Sequence, residues 1–447
     1  MKDLDAPGAS PADGRCRPID RLRTLITLMV LLHHAVLAYH PYAPPVPADW
    51  GAAPMMWRAF PVVDAARVPG FDLLVAFNDM HFMALMFLIA GLFAWRGLSH
   101  KGAAGFLRDR ARRLGIPFLV AAGVLAPLAY YASYLQAGGV PGLGAYWQAW
   151  STLGVWPAGP AWFLWVLLAF SALAALFHRY APGWGAAAAT RANAMAARPS
   201  RLWLALVALS AVVYLPLSQT VGAMHWFEFG PFTAQTARIG HYALYFALGA
   251  VLGTQDLDQG LMRRDGALAR HWLRWTNIAV LVFVVSMAVI VATFVALSKG
   301  SLGRGLWISA DLGFAVSCAA ISLMWLALCA RFGHRGGRAW ASLARNAYGM
   351  FLVHYVYVAW LQYALLDAPW PGVAKALMVF AVTVLLSWAT TAALRSTITG
   401  IVAGRPDPAE IGTGRCESLD AIDRERIAIG DVDRAVGSDG ERRVVRQ

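Results

Sequence analysis

Residues 20–40 read DRLRTLITLMVLLHHAVLAYH. Asp20, Arg21 and Arg23 stand at one end, and an almost unbroken apolar run follows. Wound as a helix, a run of this length crosses a hydrocarbon core about 30 Å thick. Lipid offers a backbone amide no partner, so a helix is the form such a segment takes. Nine further stretches of this kind follow, near 78–96, 115–136, 160–178, 202–218, 239–254, 276–297, 306–330, 342–366 and 372–395. The expected fold is therefore all-α: a polytopic helical membrane protein with about ten transmembrane helices.

Composition agrees. Of 447 residues, 59% are hydrophobic and 14% charged, and the mean hydropathy is +0.52. A soluble domain has about 45–50% apolar and ~25% charged residues, so disorder, a disulfide scaffold and an ordinary soluble enzyme are excluded. The net charge of +13 would suggest nucleic acid in a soluble protein. Here 32 of the 38 basic residues fall in the N-terminus, the tail and the alternate loops 96–113, 178–201, 255–275 and 331–345. Basic residues collect on the cytoplasmic side, so both termini are expected there, with no nucleic-acid partner. The expected division is a cytoplasmic segment 1–20, a membrane domain 21–395 and a flexible charged cytoplasmic tail 396–447. The first 20 residues hold no apolar signal core, so the first span is expected to act as an uncleaved anchor.

The expected outer loops are different in kind. Loop 40–77 is rich in proline and carries Trp50 and Trp57; loop 137–159 is uncharged and carries Trp147, Trp150 and Trp156. Most of the 19 tryptophans are expected as interface anchors, with a minority in these loops free to stack on sugars. The four cysteines show no CxxC spacing, so no metal site is expected. There is no P-loop, GxSxG, HExxH or dinucleotide fingerprint, which disfavours energy-coupled pumping and metal-dependent hydrolysis.

Ionisable groups at membrane depth are costly and call for a reason. Arg23 and His34 are eleven residues apart, about 16 Å or three turns, on nearly one face of the first helix. Such a pair suits a phosphate at the surface and a general base at mid-depth; the plainer alternative is a snorkelling arginine and a histidine bonded to a carbonyl. His33 either orients His34 or packs. Arg110 and Arg113, one turn apart, form a guanidinium fork suited to phosphate, or simply mark the cytoplasmic side. Asp79 and His81 open the second span, where His81 binds an acceptor hydroxyl or pairs with Asp79. His354 lies near the middle of the ninth span. His225, Glu228, His241 and Asp311 are weaker candidates. Ala90 and Gly91 allow close helix approach.

In order along roughly residues 16–395, these features resemble the integral-membrane acyltransferase family 3. The marks are Arg23 and His34 with ten residues between, Phe87-Leu-Ile-Ala-Gly91, Arg110-Ala-Arg-Arg113 with Pro117, Trp162-Phe-Leu-Trp165, and Tyr348-Gly-Met-Phe-Leu-Val-His354. Gly159-Pro-Ala-Trp-Phe-Leu and Asp79-Met-His81-Phe-Met look like the glucan succinyltransferase branch. The resemblance implies an enzyme moving an acetyl or succinyl group from cytoplasmic acyl-CoA to a glycan or other hydroxyl acceptor beyond a bacterial inner membrane. Acyl-CoA is the donor substrate, and no tightly bound cofactor is expected. It implies His34 as the catalytic group, Arg23, Arg110 and Arg113 at the donor, and Asp79, His81, Trp162 and His354 at the substrate. Two departures matter. Position 90 is Ala where members often have Ser, and the fourth span lacks the acidic residue many members place there. An acidic partner for His34 is then expected from Asp79 or Asp311. A second reading is a transporter or flippase of a glycan or lipid intermediate, its buried His and Asp serving as relays. A third is a structural membrane protein.

Overall fold

Each of the ten expected apolar stretches coincides with a helix in a computed structural model of the chain, which describes residues 17–254, 260–334 and 337–403. The first sixteen residues and the expected charged tail beyond 403 lie outside the described residues. By its internal contacts the chain divides into two units, Met1–Ala392 and Ala393–Gln447. The candidate site lies wholly in the first.

In order, the helices begin with α1 (Arg17–Leu37), α2 (Phe71–Leu92) and α3 (Ala94–Arg110). Two π-helical segments, Ala111–Gly115 and Ala121–Leu125, then flank α4 (Ile116–Val120), and α5 (Ala126–Gln136) and α6 (Leu143–Ser151) follow. Next come α7 (Trp162–Tyr180), α8 (Trp184–Ala197) and α9 (Pro199–Val221). A short hairpin, β1 (Trp226–Phe229) antiparallel to β2 (Phe232–Gln235), precedes α10 (Ile239–Leu252). The remainder is α11 (Ala267–Arg270), α12 (Trp272–Ser298), α13 (Arg304–Phe332), α14 (Arg338–Ala364) and α15 (Gly372–Ala403).

Among the described residues, seven helical stretches are long and apolar enough to cross a membrane. The three expected spans that fall short are α1, α10 and α14. Each has a local reason. α10 has 14 residues; α1 carries Asp20, Arg21, Arg23 and two histidines; α14 carries Arg338, Arg345, Asn346 and His354. α1 and α14, the two that fall short through polar residues, carry His34 and His354.

α2 and α10 meet backbone to backbone. A Cβ on Gly91 would lie 2.1 Å from the Phe246 carbonyl oxygen, and one on Gly249 2.1 Å from that of Leu88. No side chain fits there, as small residues at a helix contact require. Gly249→Leu is therefore expected to part the two helices and destabilise the fold by about 3 kcal/mol. A lower Tm in detergent checks this; an unchanged Tm contradicts the contact.

Proline accounts for the π segments. Pro117 and Pro127 have no N–H, so the carbonyls four residues back lose their helical donors. The Arg113 carbonyl accepts from Tyr348 Oη of α14 at 2.5 Å instead. Within the second π segment, the Ala126 N–H reaches back to the Ala121 carbonyl, and the neighbouring Ala122 carbonyl takes the Trp156 indole N–H at 2.9 Å. Carbonyls released by the wider turn thereby tie this helix to its neighbours.

The tryptophans of the proline-rich loop are not interface anchors. Trp50 and Trp57 are 5% and 2% exposed, stack at 4.3 Å, and pack with Tyr130, Tyr134, Tyr146 and Trp150. A second aromatic core fills the space between this loop, α5 and α6. The same loop is pinned to the end of α1 by bonds from Asp64 N to the Ala38 carbonyl and from Val68 N to the Tyr39 carbonyl, both 2.9 Å.

Candidate active site

α1 packs against α14, α2 and α13, and its last turn carries His34. The expected mid-span position is thus shifted to the helix end, because α1 stops at Leu37 and the pinned loop takes over. From α14, Gln362 Nε2 donates to the carbonyls of His34 and Ala35, at 2.9 and 3.1 Å. These bonds satisfy two of the open carbonyls that end a helix, and they hold the last turn in place.

Beside it, His354 Nε2 lies 3.1 Å from His34 Nδ1. The hydrogen bonds assign the protons of the neutral pair. His354 Nδ1 is 2.6 Å from the Phe351 carbonyl, which can only accept, so that nitrogen carries the hydrogen and Nε2 is bare. His34 Nδ1 then donates, shared between His354 Nε2 and the Val30 carbonyl at 2.9 Å. This leaves His34 Nε2 with an unprotonated lone pair, the form a general base needs. His354 is fully buried and His33 nearly so, whereas His34 is partly exposed. The Tyr355 ring stands edge-on to His34 at 5.2 Å.

The expected acidic partner is corrected. Asp79 pairs with Arg238, Oδ2 to Nη2 at 2.8 Å. Asp311 accepts from Tyr214 Oη at 3.3 Å and Gln219 Nε2 at 2.7 Å. A second imidazole takes the place of a carboxylate at His34. Within the described residues no cluster of three metal-ligating side chains occurs.

Other expected site residues fall as follows. His81 has no exposed surface, and both of its nitrogens are used: Nδ1 donates to the Phe77 carbonyl at 2.7 Å and Nε2 accepts from Trp325 Nε1 at 3.0 Å. It offers an acceptor no free atom, correcting the expected contact. His354 likewise faces His34 and not open space. Asp79 is different: its side chain is 41% exposed while Arg238 beside it is 6% exposed. Trp162 lies against Trp226 of the hairpin and Tyr242, each at 5.8 Å. His33 stacks on Phe82 at 5.3 Å, stands edge-on to His34 at 5.3 Å and makes no hydrogen bond through Nδ1. His241 Nε2 meets Cys318 Sγ at 3.3 Å, between α10 and α13.

Nor do Arg110 and Arg113 form the expected fork. Arg23 Nη2 bonds Asp20 Oδ1 at 3.0 Å. Arg110 sits 5.0 Å over the Phe106 ring, and Arg113 Nε bonds Asp109 Oδ1 at 2.7 Å. The change from α to π at Ala111 falls between Arg110 and Arg113, so the one-turn spacing does not hold. Arg113 remains 70% exposed.

Sequence reasoning missed Tyr355, Gln362, Arg238 and the Asp64–Lys375 pair. Gln362 had a signal, since it lies eight residues after His354 on the same helix face. Arg238 and Lys375 were legible only as basic residues of the sparsely charged loops, because their partners are 159 and 311 residues away.

A family model described as Acyltransferase domain matches residues 18–392. No curated protein and no solved structure matches the chain.

Proposed function

The chain belongs to this acyltransferase family, and on that premise we propose that it moves an acyl group from cytoplasmic acyl-CoA to a hydroxyl of a glycan or glycolipid at the outer side of a bacterial inner membrane. Ten helices cross the bilayer, with both termini cytoplasmic. The donor binds at the arginine-bearing end and needs no tightly bound cofactor. The single observation that carries the reading is the bare Nε2 of His34, set by the Phe351–His354–His34 chain of hydrogen bonds.

His34 Nε2 takes the proton of the acceptor hydroxyl while its oxygen bonds to the thioester carbonyl carbon. The C–S bond then breaks, and the departing thiolate takes the proton from Nε2. The imidazolium formed in between keeps its Nδ1–H on His354 Nε2 and the Val30 carbonyl, which stabilises the positive charge. His354 is a positioning residue that fixes the tautomer. On the acceptor side, the half-exposed Asp79 carboxylate, held by Arg238, receives hydroxyls, and the Trp162–Trp226 pair offers a sugar an aromatic face.

Membranes given acyl-CoA labelled in its acyl group test the reading. Label on an extractable glycan or glycolipid supports it; movement of a glycan across the membrane without acylation puts a transporter in its place. Arg113→Ala is expected to raise the apparent KM for acyl-CoA about tenfold, equal to ~1.4 kcal/mol, with kcat little changed. An unchanged KM removes Arg113 from the donor site.

A further inference from the structure

We propose that a crevice beside His34 is the acyl pocket, and that its walls admit a short uncharged acyl chain and reject one that ends in a carboxylate. The proposal rests on the acyltransferase reading and deepens it. The crevice is open on one side, and together with its mouth it spans about 300 Å³. Ala121, Leu125 and Ala126 form one wall, Ala161 stands on the second, and Leu352 and Tyr355 of α14 close the third.

Its position ties it to the histidines. Tyr355 borders the crevice and also stands edge-on to His34. Phe351, another lining residue, supplies the carbonyl that fixes the His354 tautomer. Along α14, Tyr348 bonds the Arg113 carbonyl, and Leu352 follows one turn, about 6 Å, later. The arginine end, the crevice and the imidazole are therefore met in order along one helix. A thioester whose carbonyl lies at His34 directs its acyl tail past Tyr355 into this space. Gly159 makes the approach possible. Its φ is +55°, and a Cβ there would lie 3.2 Å from Tyr355 Cε1, so a larger residue would push the 159–161 turn off the ring.

Charge decides the selectivity. Every lining residue is apolar except Tyr355, whose hydroxyl lies 3.4 Å from that of Tyr130. The Tyr130 hydroxyl in turn donates to the Arg58 carbonyl. A carboxylate pressed against these walls would give up water and meet no cation among the lining residues, which is costly. Of the two acyl groups that the family resemblance implies, the walls suit acetyl and not succinyl.

The test uses the full chain in membranes and in detergent. Transfer from acetyl-CoA is expected to exceed transfer from succinyl-CoA by at least about a hundredfold in kcat/KM. Ala161→Leu is expected to cut butyryl transfer at least tenfold more than acetyl transfer, and Leu352→Lys to raise succinyl transfer relative to acetyl. A second measurement needs no turnover. With Cys16 and Cys416 replaced by serine, the thiol of Leu352→Cys is labelled with a maleimide. Butyryl-CoA is expected to slow labelling where free CoA does not. Protection without transfer from any acyl-CoA keeps the pocket and overturns the proposed function. Transfer with an unchanged chain-length profile and no protection overturns the pocket and keeps the function. Succinyl transfer as fast as acetyl overturns the selectivity. Labelling blocked in the bilayer and restored in detergent, whatever acyl-CoA is present, makes the crevice a lipid-tail groove.

Discussion

His34→Ala is expected to lower kcat for acyl transfer by ~10³-fold, within the range that a general base contributes, while the protein still inserts and folds. The variant deletes one partly exposed ring in the last turn of α1, and Gln362 continues to hold that turn through its backbone carbonyls. Labelled transfer in membranes measures the loss, and retained turnover would remove His34 from the chemistry. His354 separates positioning from catalysis. His354→Ala leaves the His34 Nδ1–H with only the Val30 carbonyl, and kcat is expected to fall ~10²-fold with little change in KM. His354→Gln can present an amide oxygen where Nε2 stood, and is expected to recover much of that rate. Equal loss in both variants would point to packing instead. His33 supplies the control: its ring stacks on Phe82 and makes no hydrogen bond through Nδ1, so His33→Leu is expected to cost far less than either.

Lys375→Met is expected to produce the largest loss of stability, ~3–5 kcal/mol. Lys375 Nζ lies 2.8 Å from Asp64 Oδ2, and the two side chains are 3% and 2% exposed. Lys375 also donates to the Leu366 carbonyl at 3.1 Å, and Asp64 accepts from Ala66 N at 2.8 Å. Removing the cation alone leaves a buried carboxylate without its charge partner. Replacing both, as Asp64→Asn with Lys375→Met, is expected to recover most of the loss, because no unpaired charge remains. Thermal unfolding of the four proteins in detergent gives the coupling energy directly; additive effects would contradict the pair. The pair also bears on activity. It fastens the loop that follows α1 to the start of α15, and that loop bonds the chain just past the end of α1, four and five residues beyond His34. The expected early sign of its loss is lower activity at a temperature below the Tm.

Much of the helical layout was legible because lipid leaves few choices. A long apolar run must satisfy its own backbone, and residues 20–40 state this by themselves. The close approach at Gly91 was legible for the same kind of reason, since a missing side chain is visible in sequence. The roles of the tryptophans were not. Trp50, Trp57 and Trp150 have the composition of interface anchors, yet they fill a core between a loop and two helices, and only the tertiary contacts separate the two uses of one side chain. The π segments were equally hidden. Pro117 marks a lost hydrogen bond, but where the freed carbonyl finds a donor depends on Tyr348, 235 residues away.

By itself the sequence determined a mainly helical membrane protein, the apolar stretches that form its longer helices, and His34 with its arginines as the residues to examine. Those follow from local rules: hydropathy over some twenty residues, and spacing along one helix. Tertiary structure alone decided which group partners His34. Asp79 and Asp311 were chemically suitable, but Arg238 claims one, and Tyr214 with Gln219 the other. His354 takes the place instead, 320 residues along the chain. A hydrogen bond is decided within 3 Å of space, and separation along a sequence carries no record of that distance.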